Sequence, residues 1–143
     1  MGRGGALSCS LLIYYALTMA TEHLVCKDDK SWHFWLLKNH LRLNEVWLIF
    51  FKGEKGNLHI NHDQALDEAL CFGWIDNMVK RIDDERYALR FTRRKEKSSW
   101  TAGNKARVKR LIEQKRMAPA GYAVVKAAKA NGSWNAPKKE KEK

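Results

Sequence analysis

The chain has little proline and little cysteine. Its 143 residues include two prolines and three cysteines, whereas 45% of the residues are hydrophobic. This composition excludes a chain that is disordered throughout and fits one small domain with a single core. Cys9, Cys26 and Cys71 are odd in number and form no CxxC pair. We therefore expect no disulfide framework, a reducing compartment and a cytoplasmic protein.

The common signatures of catalysis and of sequence-specific DNA reading are also missing. The chain has no Gly-rich phosphate loop, no GxSxG elbow and no HExxH, and no helix-turn-helix or zinc-finger pattern. His59, His62 and Asp63 offer two imidazoles and a carboxylate to Zn²⁺. However, they span a predicted strand-to-helix junction and lack a fourth ligand, which favours turn and helix-dipole roles. Asp76 and the acidic turn 83–85 offer carboxylates for acid–base chemistry, but that turn reads as solvated.

Long apolar runs are scarce. Residues 6–17, ALSCSLLIYYAL, follow Arg3 and resemble a signal-peptide core, yet the run is too short for a transmembrane helix. Met19 begins MATEHLVCKDD, which is typical of a cytosolic start. We predict that residues 1–20 are an N-terminal extension or apolar tail rather than a working signal, with the true start at Met1 or Met19 left open. No integral membrane span is expected.

Apolar periodicity and capping residues predict the order helix, strand, helix, hairpin, two helices. The first helix has Asp29 or Ser31 available as N-cap, and the Asn61–Gln64 spacing is a capping-box variant. This order predicts an α+β domain over residues 21–134, followed by a charged tail over 135–143. A small antiparallel sheet, one strand plus a hairpin, would pack with four to five helices. The predicted ranges are helix 30–39, strand 45–51, helix 61–72, strands 74–82 and 86–92, a helix from Thr101 or Asn104, and a last helix from Pro119 to Asn131.

Positive charge is concentrated in the second half of the chain. The formal net charge is +11, and residues 80–116 alone carry 14 Lys and Arg against 5 Asp and Glu. A localised basic patch fits an anionic partner such as nucleic acid, an acidic protein or a membrane surface. The alternative is a solvated face that only keeps the protein soluble.

The hairpin, the segment after it and the next helix are predicted to share one basic surface. Arginine forks pair with phosphate, and exposed aromatic rings could stack on bases. Tyr87 and Trp100 are the possible stacking residues, although burial in the core is the competing interpretation of both. The cations of this surface are Arg86, Arg90, Arg93, Arg94, Lys95, Lys97, Lys105, Arg107, Lys109 and Arg110.

Several strings resemble the bacterial YdeI/OmpD-associated, or bacteriocin-protection, family. They are EVWLIFFK, DQALDEALCFGWID, KRIDDERYALRFTRRKEKSSW, NKARVKRLIEQKRMAPAG and AKANGSW, which together span about residues 30–134. The chain departs from the family pattern at Arg93, where proline is common, and at Lys115-Arg116, where glycine is usual before the methionine. We also expect that the PKKEKEK tail stands in place of a further C-terminal helical region of the family. The family name implies protection against bacteriocins and antimicrobial peptides, and association with an outer-membrane porin, but it implies no catalytic residues.

Three functions follow as expectations. The first is a non-enzymatic stress-resistance or protection protein that acts on an anionic or protein partner through its basic surface. The second is a nucleic-acid binder without sequence preference that uses the same surface. The third is a small-molecule enzyme with a pocket near Trp74, Asp76 and His59. We expect no catalytic residue, cofactor or metal, and the oligomeric state is left open.

Overall fold

The computed structural model describes residues 23–136, which form an α+β domain. The expectations for residues 1–20 and for most of the C-terminal tail lie outside this range. Within it, no helix combines the length and the apolar character needed to cross a bilayer. The elements are β1 (His23–Val25), α1 (Asp29–Asn39), β2 (Glu45–Phe51), a 3₁₀ helix (Gly53–Leu58), α2 (His62–Cys71), β3 (Trp74–Arg81), β4 (Arg86–Arg93), α3 (Ala102–Glu113) and α4 (Pro119–Asn131).

The sheet has four strands in the order β1-β2-β4-β3. Strands β2, β4 and β3 are antiparallel, as predicted for one strand and a hairpin, and a bulge interrupts the register between Asp76 and Met78. The prediction missed β1, which pairs in parallel with β2, so the sheet is mixed rather than purely antiparallel. With only three residues, β1 is too short to show the alternation that marks a strand.

Local capping signals account for where the helices begin. Asp28, rather than Asp29 or Ser31, caps α1, and its carboxylate accepts a hydrogen bond from the backbone N–H of Ser31 at 2.8 Å. Asn61 and Gln64 form the predicted capping box of α2, and Thr101 caps α3. Such caps satisfy backbone donors that the first helical turn leaves free.

The helices cover one face of the sheet and enclose the main core. The largest fully buried side chains include Trp32, Trp74, Phe50 and Phe91. The other face carries a smaller apolar cluster of Trp47, Ile49 and Ala88. The alternation of side chains along β2 therefore supplies both faces of the sheet.

Cys26 and Cys71 are buried, free thiols, and Cys9 lies outside the described residues. Burial raises the pKa of each of the two thiols to about 12. Because the thiolate is the reactive form of cysteine, both side chains are protonated core residues at neutral pH.

Candidate partner-binding surface

Two arginines on the hairpin, both of the predicted basic surface, are paired with carboxylates. Arg86 donates to the carboxylate of Asp83 through Nε at 2.9 Å and Nη2 at 2.8 Å. Arg90 on β4 donates through Nε to Glu45 on the neighbouring β2 at 2.7 Å. Their positive charge is therefore largely offset within the domain.

Two more arginines join α3 to α2. Arg107 donates to Asp63 at 2.6 Å and to Asp67 at 3.0 Å, and Arg110 donates to both oxygens of Asp67 at 2.8 Å. The hydrogen bond from Arg107 holds the pKa of Asp63 below its usual value. Through these contacts Arg107 and Arg110 link α3 to α2 and hold the two helices against each other.

Arg94 is half-buried and faces Trp100 rather than a partner. Its guanidinium stacks 3.8 Å from the centroid of Trp100, and Nη2 donates to the carbonyl of Ser99 at 3.0 Å. Its Nε is shielded from solvent and has no hydrogen-bond partner among the described residues. Burial lowers the pKa of Arg94 to about 10. Folding thus disfavours the charged form of this side chain.

We expect Arg94→Met to raise the free energy of unfolding by about 1 kcal/mol at neutral pH, because methionine keeps the contact with Trp100 and removes a poorly solvated charge. The folded-state pKa lies below the ordinary value. The charged Arg94 side chain therefore lowers the free energy of unfolding by its full amount below about pH 10. This destabilisation is relieved as the pH rises through that value, because the folded protein then releases the proton. Urea titrations of both proteins at pH 7 measure the difference.

Arg94→Ala is the control for this prediction, since it removes the charge and the packing together and should destabilise. If Arg94→Met destabilised as much as Arg94→Ala, the buried charge itself would be holding the loop against Trp100.

The remaining five cations of the predicted surface are not neutralised. None has a carboxylate oxygen within 4.0 Å among residues 23–136. Four are exposed and Lys105 is half-buried. The unpaired positive charge of the predicted set thus lies at the end of β4, on the segment after it and on α3. We call these residues the free basic set: Arg93, Lys95, Lys97, Lys105 and Lys109.

A groove opens beside this set, between α3 and the C-terminal end of α4. Its volume is about 550 Å³. The floor is apolar, formed by Val108, Ile112 and the ring of Trp134, and lysines from both helices line it: Lys105, Lys109 and Lys129. The acidic lining residue is Glu113, at the far end of α3. The groove can therefore take an apolar group that carries negative charge.

Contacts within the domain hold Trp134 in place. Its ring packs 4.8 Å from the centroid of Trp100, and its backbone N–H donates to the carbonyl of Ala128 at 3.1 Å. Lys129 lies over the same Trp134 ring, with Nζ 5.0 Å from its centroid. The sequence prediction missed Trp134 and Lys129 as site residues, although the basic and aromatic AKANGSW string marked the segment.

The two predicted stacking residues have their rings engaged in the protein. Trp100 is 4% exposed, so the buried alternative holds for it. Tyr87 is half-buried and stacks on Phe50 with ring centroids 5.3 Å apart. The described aromatic ring that does line a groove beside the free basic set is Trp134.

The residues of the hypothetical enzyme pocket take separate roles. Trp74 is fully buried, and its indole N–H donates to the carbonyl of His40 at 3.3 Å. Asp76 pairs with His62 at 3.1 Å, whereas His59 stacks on Phe51 at 4.1 Å. The three side chains therefore make contacts with different partners within the domain.

The histidines considered for zinc are likewise engaged elsewhere. His59 contacts the carbonyl of Lys55 through Nδ1 at 2.7 Å, and the carboxylate of Asp63 accepts from Arg107. Across residues 23–136 no group of three or more His, Cys, Asp or Glu is arranged to hold a metal ion.

Comparison with known proteins places the chain in a family. The model of a domain of unknown function, DUF8412, matches residues 24–124, more than half of the sequence. The chain belongs to the DUF8412 family. The DUF8412 match includes the α3 side of the groove and ends before Lys129 and Trp134 on its other side. No curated protein and no solved structure matches the chain.

Proposed function

We propose that this DUF8412 protein is a non-enzymatic binding protein that recognises an anionic partner through the free basic set. The observation that carries the proposal is the sorting of charge within the domain. Four of the ten predicted cations are paired with carboxylates and Arg94 is half-buried against Trp100, whereas the other five are unpaired among residues 23–136. The unpaired ones lie between Arg93 and Lys109, and Arg94 and Arg107 are the engaged members of the predicted set within that stretch.

This sorting favours binding over catalysis. Arginines that make several hydrogen bonds within the domain are poorly available to a partner, whereas the unpaired cations have no ion pair to break before they meet an anion. The strings that resemble the YdeI/OmpD-associated family support a physiological role in protection against bacteriocins or antimicrobial peptides. In that role the basic surface would recruit an acidic protein of the cell envelope.

The test is a charge reversal confined to the exposed cations at and after the end of β4, Arg93→Glu/Lys95→Glu/Lys97→Glu. The variant should elute from an immobilised polyanion such as heparin at lower salt than the parent, because ionic contacts are lost. It should also fail to protect cells that are challenged with a bacteriocin. Arg94 is left unchanged since its guanidinium stacks on Trp100.

The matched control is Lys27→Glu/Lys38→Glu/Lys52→Glu, which makes the same change of charge at three exposed lysines outside the free basic set. The control should keep both heparin retention and protection. Equal loss in both variants would show that net charge alone matters, and no loss in either would overturn the proposal.

The second candidate is binding of nucleic acid without sequence preference, favoured by the exposed run of Arg93, Lys95 and Lys97. It predicts that affinity for a labelled duplex falls steeply between about 50 and 200 mM salt. Reversal of three phosphate-contacting cations should reduce the log–log salt slope by about 2.7 in magnitude, at roughly 0.9 per contact. Anisotropy that does not change with added duplex at either salt would exclude this candidate.

A further inference from the structure

The groove between α3 and the end of α4 has two properties that the surface around Arg93, Lys95 and Lys97 does not share. It is concave, and it combines an apolar floor with lysines from two different helices. We propose that this groove binds an acidic amphipathic helical peptide of a partner protein, with apolar side chains on the floor and carboxylates on the lysines. The inference deepens the proposed function, since it names the chemistry of the anionic partner.

The length of the groove matches the spacing of anchors on a helix. Its lining residues run along α3 from Lys105 to Glu113, a rise of about 12 Å. Apolar residues at positions i, i+4 and i+7 of a bound helix span about 10 Å, the usual pattern of a helix held in a groove. The volume of about 550 Å³ lies within the range of sites that enclose a ligand.

The charges of the lining define where the acidic side chains of the peptide would lie. Lys105 and Lys109 are four residues apart, so they face the same side of α3 one turn apart. Lys129 approaches from α4, and none of the three has a carboxylate within 4.0 Å among residues 23–136. Glu113 lies at the opposite end of the same lining. A bound peptide would therefore direct its carboxylates toward Lys105 and keep them away from Glu113.

The floor favours a peptide over a nucleic-acid strand. Single-stranded nucleic acid is held by a series of aromatic rings on which successive bases stack. The groove offers one ring, Trp134, beside the branched aliphatic side chains of Val108 and Ile112. Such a floor is complementary to leucine-like and phenylalanine-like anchors.

Neither residues 137–143 nor residues 6–17 have both properties. Residues 137–143, PKKEKEK, carry four lysines against two glutamates and have no apolar anchor beyond proline. Residues 6–17, ALSCSLLIYYAL, are apolar but contain no acidic residue. Charge complementarity with three lysines therefore points to a partner.

The test uses the full chain and a fluorescent synthetic peptide of about 14 residues, with leucine at i, i+4 and i+7 and glutamate on the flanking positions. Anisotropy should show saturable binding. Binding should be lost when lysine replaces the glutamates or serine replaces the leucines. Lys129→Glu should weaken binding about tenfold or more, as expected when one member of a charge pair is reversed.

Lys126→Glu is the matched control, since it makes the same change one turn earlier on α4 at an exposed residue that does not line the groove. Trp134→Phe tests the floor with a ring retained and should weaken binding less than Trp134→Ala. Equal weakening by Lys126→Glu and Lys129→Glu would overturn the groove as the site.

Three further outcomes would also overturn the inference. A labelled single strand that binds and loses affinity in Lys129→Glu, while the peptide does not bind, would assign the groove to nucleic acid. Peptide binding that is seen only after Leu12→Asp/Ile13→Asp would assign it to the N-terminal segment. If heparin retention depends on Arg93, Lys95 and Lys97 but no peptide binds, this inference alone is refuted. If the parent protein shows neither heparin retention nor peptide binding, the proposed function is refuted as well.

Discussion

Replacing Trp32 by alanine should lower the free energy of unfolding by about 4 kcal/mol, a typical loss when a large aromatic side chain is removed from a core. Trp32 has no exposed surface, and its ring lies 5.5 Å from Trp35 and 5.2 Å from Phe91. Its indole N–H also donates to the carbonyl of Ala65 at 2.9 Å. One side chain therefore connects α1 with α2 and with β4, and its loss should be measured by urea or guanidinium unfolding.

Phe34→Ala is the control on the same helix. Phe34 is 59% exposed, and alanine has the higher helix propensity, so the change in stability should stay within about 0.5 kcal/mol. Similar losses for Trp32→Ala and Phe34→Ala would mean that α1 does not dock with the Trp32 side inward.

The elements that were predicted well are those with local signals. The strand over 45–51 is confirmed as Glu45–Phe51, and the helix that begins after Asn61 is confirmed with its capping box. The apolar run of β2 and the Asn61–Gln64 pair each lie within a few residues of the feature that they specify. Such signals are readable because they depend on backbone geometry and near neighbours.

The missed strand depends on a partner far along the chain. β1 is a strand because His23, Leu24 and Val25 pair with Trp47, Leu48 and Ile49 across the whole of α1. Three residues carry too little pattern to show this by themselves. The prediction of an antiparallel sheet was right for the hairpin and for β2, and incomplete at this edge.

The basic surface shows the same division between local and distant information. Composition placed the positive charge in residues 80–116 correctly, but it could not show which cations would be neutralised. Arg107 meets Asp67 from 40 residues away, and Arg116 meets the buried Glu68 from 48 residues away. A sum of charges over a segment therefore overstates the charge that a partner meets, because folding brings the acidic helix α2 against the basic helix α3.

The groove was hidden from the sequence for a related reason. Trp100 and Trp134 are 34 residues apart, and only the return of α4 to the loop after β4 places their rings in contact. Asn131 Nδ2 and Ser133 Oγ both donate to the carbonyl of Glu96, at 2.8 Å and 3.1 Å, and fix that return. The position of α4 is thus the condition on which the proposed binding groove depends.

Replacing Gly121 by alanine should displace α4 and lower the free energy of unfolding by about 3 kcal/mol, at the upper end of the usual cost of overpacking. An added Cβ would lie 2.2 Å from the carbonyl oxygen of Cys71 and 2.8 Å from its carbonyl carbon. The same oxygen accepts a hydrogen bond from the backbone N–H of Ala118 at 3.0 Å. The backbone of α2 and the start of α4 are therefore in direct contact, with no space for an added methyl group. Backbone atoms cannot turn aside as a side chain can, and the whole helix must move.

Gly103→Ala provides the matched control, because it makes the same substitution at a helical glycine of α3. Its added Cβ would find its nearest neighbour, Thr101 Oγ1, at 4.0 Å. Alanine is favoured over glycine within a helix by up to about 1 kcal/mol, so this variant should be as stable as the parent or more stable. The two changes should thus move the unfolding midpoint in opposite directions.

Gly121→Ala should also weaken binding of the acidic peptide, since α4 carries Lys129 and leads into Trp134. If Gly121→Ala left stability unchanged, α4 would not pack on Cys71, and the groove that depends on this contact would have to be abandoned.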